Sequence, residues 1–287
     1  MNSTAIQSIL RPLLLGTLSA ALALGSTSLA HAGHGAAQVE GKDYAFTTLA
    51  PMTTGWTTFA FKNTGKELHH FQIARLPDGQ TFDAFVADLK ARGEAAAAGV
   101  EFVGGVGLLL PGASQTATVN LNRPGTYVQL CFVPDAKGVP HLALGMLNAF
   151  QVQAAAGDAT AGTANAAPRA DVQISLEDFG FQMPGSIKAG KQVWQIVNKG
   201  PEPHEAMIFR LLPGKTVADA LAGLANPAGP QAAMPVGGLQ AVNKGRSSYA
   251  DLNLEAGDYL LLCLIPSAAQ GGKPHFALGM ARPFAVR

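Results

Sequence analysis

The sequence GTYVQLC at residues 125–131 returns as GDYLLLC at residues 257–263, and a second shared motif follows each copy. That motif is PHLALGM at residues 140–146 and PHFALGM at residues 274–280. A cysteine ends the first motif, and a histidine and a methionine five residues apart lie in the second. Both copies of the motifs contain the same Cys, His and Met. Packing alone poorly explains this repetition, so the repeat indicates that the three residues act together.

Other segments of the chain around these motifs are also repeated. FKNTGKELH at residues 61–69 corresponds to IVNKGPEPH at residues 196–204, and two glycines at 104–105 correspond to two at 237–238. All matches keep the same order, with offsets of 132 to 136 residues. Regular internal similarity of this kind is typical of a repeated structural unit.

The repeat predicts two domains joined by a linker. The copies span residues 37–153 and 171–287, each close to the commonest domain size. Residues 154–170 between them are rich in Ala, Gly and Thr and show no apolar periodicity, as flexible linkers do.

The first 32 residues predict an export signal that is not part of the fold. Arg11 precedes the apolar run Leu13–Leu24, and Ala30, His31 and Ala32 place small residues where signal peptidase reads them. The alternative is a membrane anchor, but the run is shorter than the ~20 apolar residues that a span needs. We expect cleavage after Ala32 and a mature chain without a transmembrane segment, in the periplasm or secreted.

Strand signals dominate each copy, and one segment in each is helical. Residues 81–92 carry apolar side chains at helical spacing, with Thr81 as N-cap and Gly93 as the stop, and residues 216–224 are their counterpart. We therefore predict an all-β chain of two antiparallel sandwiches, each with one inserted short helix. The clearest strand segments of the first copy are 57–61, 116–121, 127–131 and 149–152.

Each copy offers His, Cys, His and Met in the same order. A thiolate, two imidazoles and a weak axial thioether are the ligands of a type 1 copper ion. In the strand that starts at His69, alternation places His70 on the other face, so we expect His69 to be the ligand and His70 to point outward without a role. Glu205 stands in the same relation to His204. Cys131 is expected at the end of an inner strand.

These motifs resemble the ligand loops of the cupredoxins, the type 1 blue copper proteins, and are most similar to plastocyanin-like loops. The resemblance covers both copies and implies Greek-key sandwiches, up to two copper ions per chain and single-electron transfer. The ligands that it implies are His69, Cys131, His141 and Met146 in the first copy, and His204, Cys263, His275 and Met280 in the second.

The chain departs from the pattern of the family at three points, one of which is the inserted helix that the smallest members lack. The segment between Cys and His is longer than in small blue copper proteins, with ten residues from Cys131 to His141. The position after the first His, where cupredoxins often have an Asn that braces the Cys loop, is His70 or Glu205.

Three other interpretations compete with electron transfer. Exported proteins with two cysteines usually pair them, but the repeat places Cys131 and Cys263 in separate sandwiches, which argues against a disulfide. The chain could also be a periplasmic copper carrier or buffer without a redox role. The third interpretation is a copper-free interaction module that keeps the fold alone.

Composition and residue counts exclude further classes at this stage. A formal net charge of +1 and 14% charged residues provide no basic surplus for a nucleic-acid partner. Multicopper oxidases and copper nitrite reductases need additional histidines for a second copper centre, and no histidine adjoins either cysteine. We therefore expect a non-enzyme that exchanges electrons with redox partner proteins, through His141 and His275 and the apolar residues around them.

Overall fold

The computed structural model describes residues 35–155, 166–225 and 230–287. The predicted export signal and residues 156–165 of the predicted linker lie outside the described residues. Within the described ranges the chain is mostly β-strand, with two α-helices and three short 3-10 segments. None of the helices in these ranges has the length and apolar character needed to cross a membrane.

The first half, described from residue 35 to 155, contains nine strands and helix α1 (Phe82–Arg92). The strands are β1 (Ala37–Lys42), β2 (Ala45–Phe46), β3 (Met52–Thr53), β4 (Gly55–Asn63), β5 (His69–Arg75), β6 (Glu101–Leu109), β7 (Ser114–Leu121), β8 (Gly125–Leu130) and β9 (Leu147–Gln153).

The second half repeats this arrangement, with helix α2 (Val217–Ala225) in the position of α1. Its strands in the described ranges are β10 (Val172–Glu177), β11 (Gly180–Gln182), β12 (Gly190–Asn198), β13 (His204–Leu211), β14 (Ala233–Val242), β15 (Ser247–Leu254), β16 (Gly257–Leu262) and β17 (Ala281–Val286).

Helix α1 forms where its sequence signals place it. The Thr81 hydroxyl accepts a hydrogen bond from the Ala84 amide at 3.1 Å, and Gly93 ends the helix with a φ of 61°. Phe85 and Leu89 are buried in a small second core on the outer side of the sheet. The predicted fold class, two β-sandwiches with one inserted helix each, is confirmed.

The strands of both halves join into two continuous sheets. One has the order β11-β10-β12-β15-β7-β4-β1-β2, and the other has the order β17-β16-β13-β14-β6-β5-β8-β9-β3. Strand β7 pairs with β15, and β6 pairs with β14, both antiparallel. The pairing covers strand edges that would otherwise expose unpaired backbone groups. One hydrophobic core accordingly includes residues of both halves.

The repeated glycines lie at this junction. Gly237 has a φ of 113°, and a Cβ there would overlap Oε1 of Gln115 from the other half. The Gln115 amide group uses this space to donate to the carbonyl of Gly238 at 2.7 Å and to accept from its amide at 2.9 Å. The glycine pair therefore allows a side chain of one half to hydrogen-bond the backbone of the other.

A methyl group at the junction should destabilise the whole chain. We expect Gly237→Ala to lower the free energy of unfolding by about 2 kcal/mol, because it combines a positive φ with the displacement of a buried hydrogen-bonded amide. Gly185→Ala is the control, since nothing lies within 4 Å of a Cβ there and its φ is not positive. Urea unfolding measures both variants, and equal midpoints would contradict this account of the junction.

Candidate metal centres

The structure brings together three of the four predicted ligands of the first half at their donor atoms. Nδ1 of His69 lies 3.0 Å from Nδ1 of His141. Sγ of Cys131 lies 3.6 Å from Nδ1 of His141 and 4.0 Å from Nδ1 of His69. All three side chains are fully buried.

The second half has the same arrangement. Nδ1 of His204 lies 3.0 Å from Nδ1 of His275, and Sγ of Cys263 lies 3.3 Å from Nδ1 of His275. In both groups the donor atoms lie within 4.8 Å of one another. The duplication of the sequence is therefore a duplication of this site.

Neighbouring strands and one loop position the first group. His69 begins β5, and Cys131 directly follows β8, the strand beside it. The His141 amide donates to Val133 at 2.8 Å, and the Leu142 amide donates to the carbonyl of Cys131 at 2.8 Å. These hydrogen bonds join the two ends of the segment between Cys131 and His141 and so keep the two residues close together.

The added length of that segment forms a small closed loop. Pro134 and Pro140 form a β-bridge in the first half, and Pro266 and Pro274 form the equivalent bridge in the second. The extra residues lie beyond the bridge, so the longer spacing does not separate the cysteine from its histidine.

Met146 and Met280, the predicted axial ligands, are buried next to the other three. The Met146 amide donates to His141 at 2.8 Å, and its carbonyl accepts from the Cys131 amide at 3.3 Å. Met280 makes the same two backbone contacts, to His275 and Cys263. Coordination by the two thioethers stays a prediction.

Four carboxylates that the sequence analysis missed hold the imidazoles. Nε2 of His69 lies 2.6 Å from Asp43, and Nε2 of His141 lies 3.0 Å from Glu67. In the second half the pairs are His204 with Asp178 and His275 with Glu202. Metal-bound histidines usually donate their other ring N–H to such a carboxylate.

The sequence does carry a signal for these carboxylates. Glu67 and Glu202 occupy equivalent places in the repeat, and Asp43 and Asp178 each precede the first histidine of their copy by 26 residues. Gly65, another repeated residue, lies against the first pair, where a Cβ would overlap Asp43. Acidic residues at equivalent positions of the two copies therefore indicate that these carboxylates belong to the repeated site.

Hydrogen bonds keep one of these carboxyl groups in each half ionised. Partial burial raises the pKa of Asp43, but hydrogen bonds from the Lys66 amide and from His69 outweigh it, and the pKa lies below its usual range. The pKa of Glu202 is also lowered, because hydrogen bonds from Ser267 and His275 outweigh its burial. These oxygens are therefore acceptors for the imidazole N–H groups.

The imidazoles then face each other with lone pairs. Burial lowers the pKa of His69, His141 and His275, so these rings are neutral at pH 7. With the hydrogen on Nε2, Nδ1 of each ring is an acceptor. Two acceptors 3.0 Å apart in a buried space repel each other unless a cation lies between them.

A cation would also stabilise the ionised form of the two buried cysteines. Burial raises the pKa of the Cys131 thiol to about 12, and it raises the pKa of Cys263 well above its usual value. A metal ion reverses this effect, because its charge stabilises the thiolate. Two neutral imidazoles and a buried sulfur together form a site that is complete only with a positive ion.

The distances suit one ion per group. Metal bonds of about 2.0 Å to imidazole nitrogen and about 2.3 Å to thiolate sulfur allow two nitrogen atoms up to about 4.0 Å apart, and a nitrogen and a sulfur up to about 4.3 Å apart, to share an ion. The three separations of the first group are 3.0, 3.6 and 4.0 Å, and the two short separations of the second group are 3.0 and 3.3 Å. Two imidazoles with one thiolate are the equatorial set of type 1 copper, so the two groups fit up to two type 1 copper ions.

The prediction that His70 points outward is wrong. His70 and its counterpart Glu205 are both only 6% exposed. Nε2 of His70 accepts from the Phe132 amide at 2.9 Å, and Glu205 accepts from the Leu264 amide at 2.9 Å. Each therefore braces the residue after the cysteine, which is the role that Asn has in the resemblance.

The expected exit through His141 also needs correction. His141 is fully buried and Leu142 is 4% exposed, so neither forms an open apolar patch. The Tyr44 ring packs on His141 at a centroid distance of 4.7 Å, and its hydroxyl donates to Glu67 at 2.8 Å. In the second half Phe179 packs on His275 in the same way.

The alternative of a disulfide is wrong for this structure. Cys131 and Cys263 are both free and buried. Each belongs to a different histidine group, in a different half of the molecule.

Comparisons with known proteins give structural matches only. No family model and no curated protein matches the chain. A reduced auracyanin from the photosynthetic bacterium Roseiflexus castenholzii is 26% identical and covers 42% of this chain and 99% of its own, with a TM-score of 0.30. A multicopper oxidase is 14% identical over 87% of this chain and 88% of its own, with a TM-score of 0.26.

A copper nitrite reductase from Nitrosomonas europaea is 16% identical and covers 88% of this chain and 94% of its own, with a TM-score of 0.24. The paired sheets and the two His–Cys–His groups agree with the fold that the sequence predicts. The two halves are cupredoxin-like.

The sequence analysis excluded an enzyme, and that exclusion is wrong. The solved structures that extend over the two halves include a multicopper oxidase and two copper nitrite reductases, which are enzymes. The histidine count on which the exclusion depended tests only for a second histidine-rich copper centre in one chain. It does not test for reactions elsewhere on the molecule.

Removing one supporting carboxylate should weaken metal binding in one half. We expect Asp43→Ala to lower the copper affinity of the first site about 10- to 100-fold, because the His69 ring loses the partner that orients it. Asp83→Ala, an exposed residue of α1, is the matched control. Competitive titration with a copper chelator measures both, and equal affinities would contradict a role for Asp43 in positioning the ring.

Proposed function

We propose that each half holds one copper ion and that the chain transfers single electrons between partner proteins. The observation that carries the proposal is the pair of facing Nδ1 atoms in each half, with a buried cysteine beside them. The proposed ligands are His69, Cys131, His141 and Met146, and His204, Cys263, His275 and Met280.

Bound copper supplies a one-electron couple between Cu(I) and Cu(II). The contribution of the chain is a donor set that changes little between the two states. Asp43 and Glu67 hold the imidazole rings at Nε2, and His70 holds the backbone next to Cys131. A site braced in this way resists rearrangement, which favours electron transfer over metal exchange.

Burial favours an outer-sphere reaction. The donor residues are fully buried, and Tyr44 and Phe179 pack over the second histidine of each site. Water and small ligands therefore have little access to the donor atoms. Electrons would pass through the protein to a docked partner, and such redox encounters are typically small and weak.

The surface nearest the first site would favour a basic partner. Side chains of Asp43 and Glu67 are 22% and 27% exposed, and both lie directly on the ligand imidazoles. Their charge would attract a partner that carries lysine or arginine around its own redox centre.

Spectra of two single variants test the proposal. The copper-loaded protein should show an intense thiolate-to-copper absorption band that a mild reductant bleaches reversibly. Cys131→Ser and Cys263→Ser should each remove about half of this band, since each site has its own thiolate.

The outcomes separate the competing functions. Tight Cu(I) binding without the band would support the copper carrier or buffer instead. Absence of copper uptake by the reduced protein would support a metal-free module. An unchanged band in both variants would show that the ligand assignment is wrong.

We also propose that the chain is exported and loses its first 32 residues. The apolar run and the small residues before Gly33 support this. Expression of the full chain in a Gram-negative host should give a periplasmic protein whose mass corresponds to a start at Gly33, measured by mass spectrometry. A cytoplasmic product that still starts at Met1 would contradict export.

A further inference from the structure

A cavity of about 390 Å³ lies between the two halves, outside the proposed copper sites. Its floor is the outer face of four adjacent strands, β5, β6, β14 and β13. One wall comes from the 3-10 segment at residues 93–99, and the others come from the loops after each cysteine. The cavity exists because the two halves share a sheet.

The lining is mostly apolar and includes two aromatic rings. Phe102 and Phe132 contact each other edge to face at a centroid distance of 6.3 Å. Leu108, Met207 and Leu264 continue the apolar surface. A flat apolar molecule is the kind of ligand that such walls accept.

One buried polar atom in this lining lacks a partner. Nδ1 of His70 has no hydrogen bond, although the residue is only 6% exposed. Nε2 of the same ring accepts from the Phe132 amide, so the hydrogen of the ring is on Nδ1. An unsatisfied buried N–H is costly, and a ligand oxygen would satisfy it.

Glu205 brings a carboxyl group to the same cavity from the second half. Its Oε1 accepts from the Leu264 amide at 2.9 Å. Glu94 and Glu202 also line the cavity, and the described lining residues include neither lysine nor arginine. This charge distribution disfavours an anion.

We propose that the cavity binds a small neutral aromatic molecule that carries a hydroxyl group, a phenol by chemical class. The ring packs between the apolar walls. The His70 N–H donates to the hydroxyl oxygen, and the carboxyl side of the cavity accepts the hydroxyl hydrogen. Binding at this site requires no copper, so it stands or falls separately from the proposed electron transfer.

Titration of the full mature chain, without copper, tests the proposal. We expect saturable binding of one 2-naphthol per chain, followed by calorimetry and by naphthol fluorescence. The anionic analogue 2-naphthoate should bind at least about tenfold more weakly, because its charge is buried among carboxyl groups. Absence of saturable binding, or equal binding of both compounds, would overturn the proposal.

Two substitutions locate the site. Ala98 lines the cavity and is exposed, so Ala98→Trp should occupy the entrance and abolish naphthol binding. Ala95→Trp is the matched control, on the same 3-10 segment but outside the lining. If both variants bind naphthol like the original chain, the ligand lies elsewhere.

His70→Phe tests the hydrogen bond. It should weaken 2-naphthol binding about fivefold, the value of one hydrogen bond, and leave the binding of naphthalene unchanged. A general distortion of the cavity would weaken both ligands equally. That result, or no change in either ligand, would rule out the proposed role of His70.

Discussion

The central constraint in each half is a pair of buried imidazoles whose Nδ1 atoms lie 3.0 Å apart. Carboxylates at Nε2 determine which ring nitrogen carries the hydrogen, and thereby turn both Nδ1 atoms into acceptors. The strands, the bridged loop and the glycine at position 65 all serve to hold these groups together against their mutual repulsion. A buried cysteine completes a set of donors that a positive ion satisfies.

The second organising feature is the joining of the halves through shared sheets. Two sandwiches on a flexible linker would each expose the edges at β6 and β7, or at β14 and β15. Pairing these strands removes the edges and leaves a cavity where the two outer faces meet, lined by His70 and Glu205 among others.

The two halves reach the same geometry with different side chains. Glu67 is held by the Tyr44 hydroxyl, whereas Glu202 is held by the Ser267 hydroxyl, since Phe179 replaces the tyrosine. His70 and Glu205 accept equivalent amide hydrogen bonds. Equivalent hydrogen bonds are therefore kept in the two halves, although different residues make them.

The sequence by itself determined the repeated unit, the strand and helix pattern, and the three residues that meet in each half. These depend on local periodicity and on comparing the chain with itself. Only the tertiary structure decided that β7 pairs with β15, that the face of His70 is covered, and that Asp43 reaches His69. Those contacts join segments far apart in the chain, and no local pattern encodes which exposed edge or which carboxylate will be the partner.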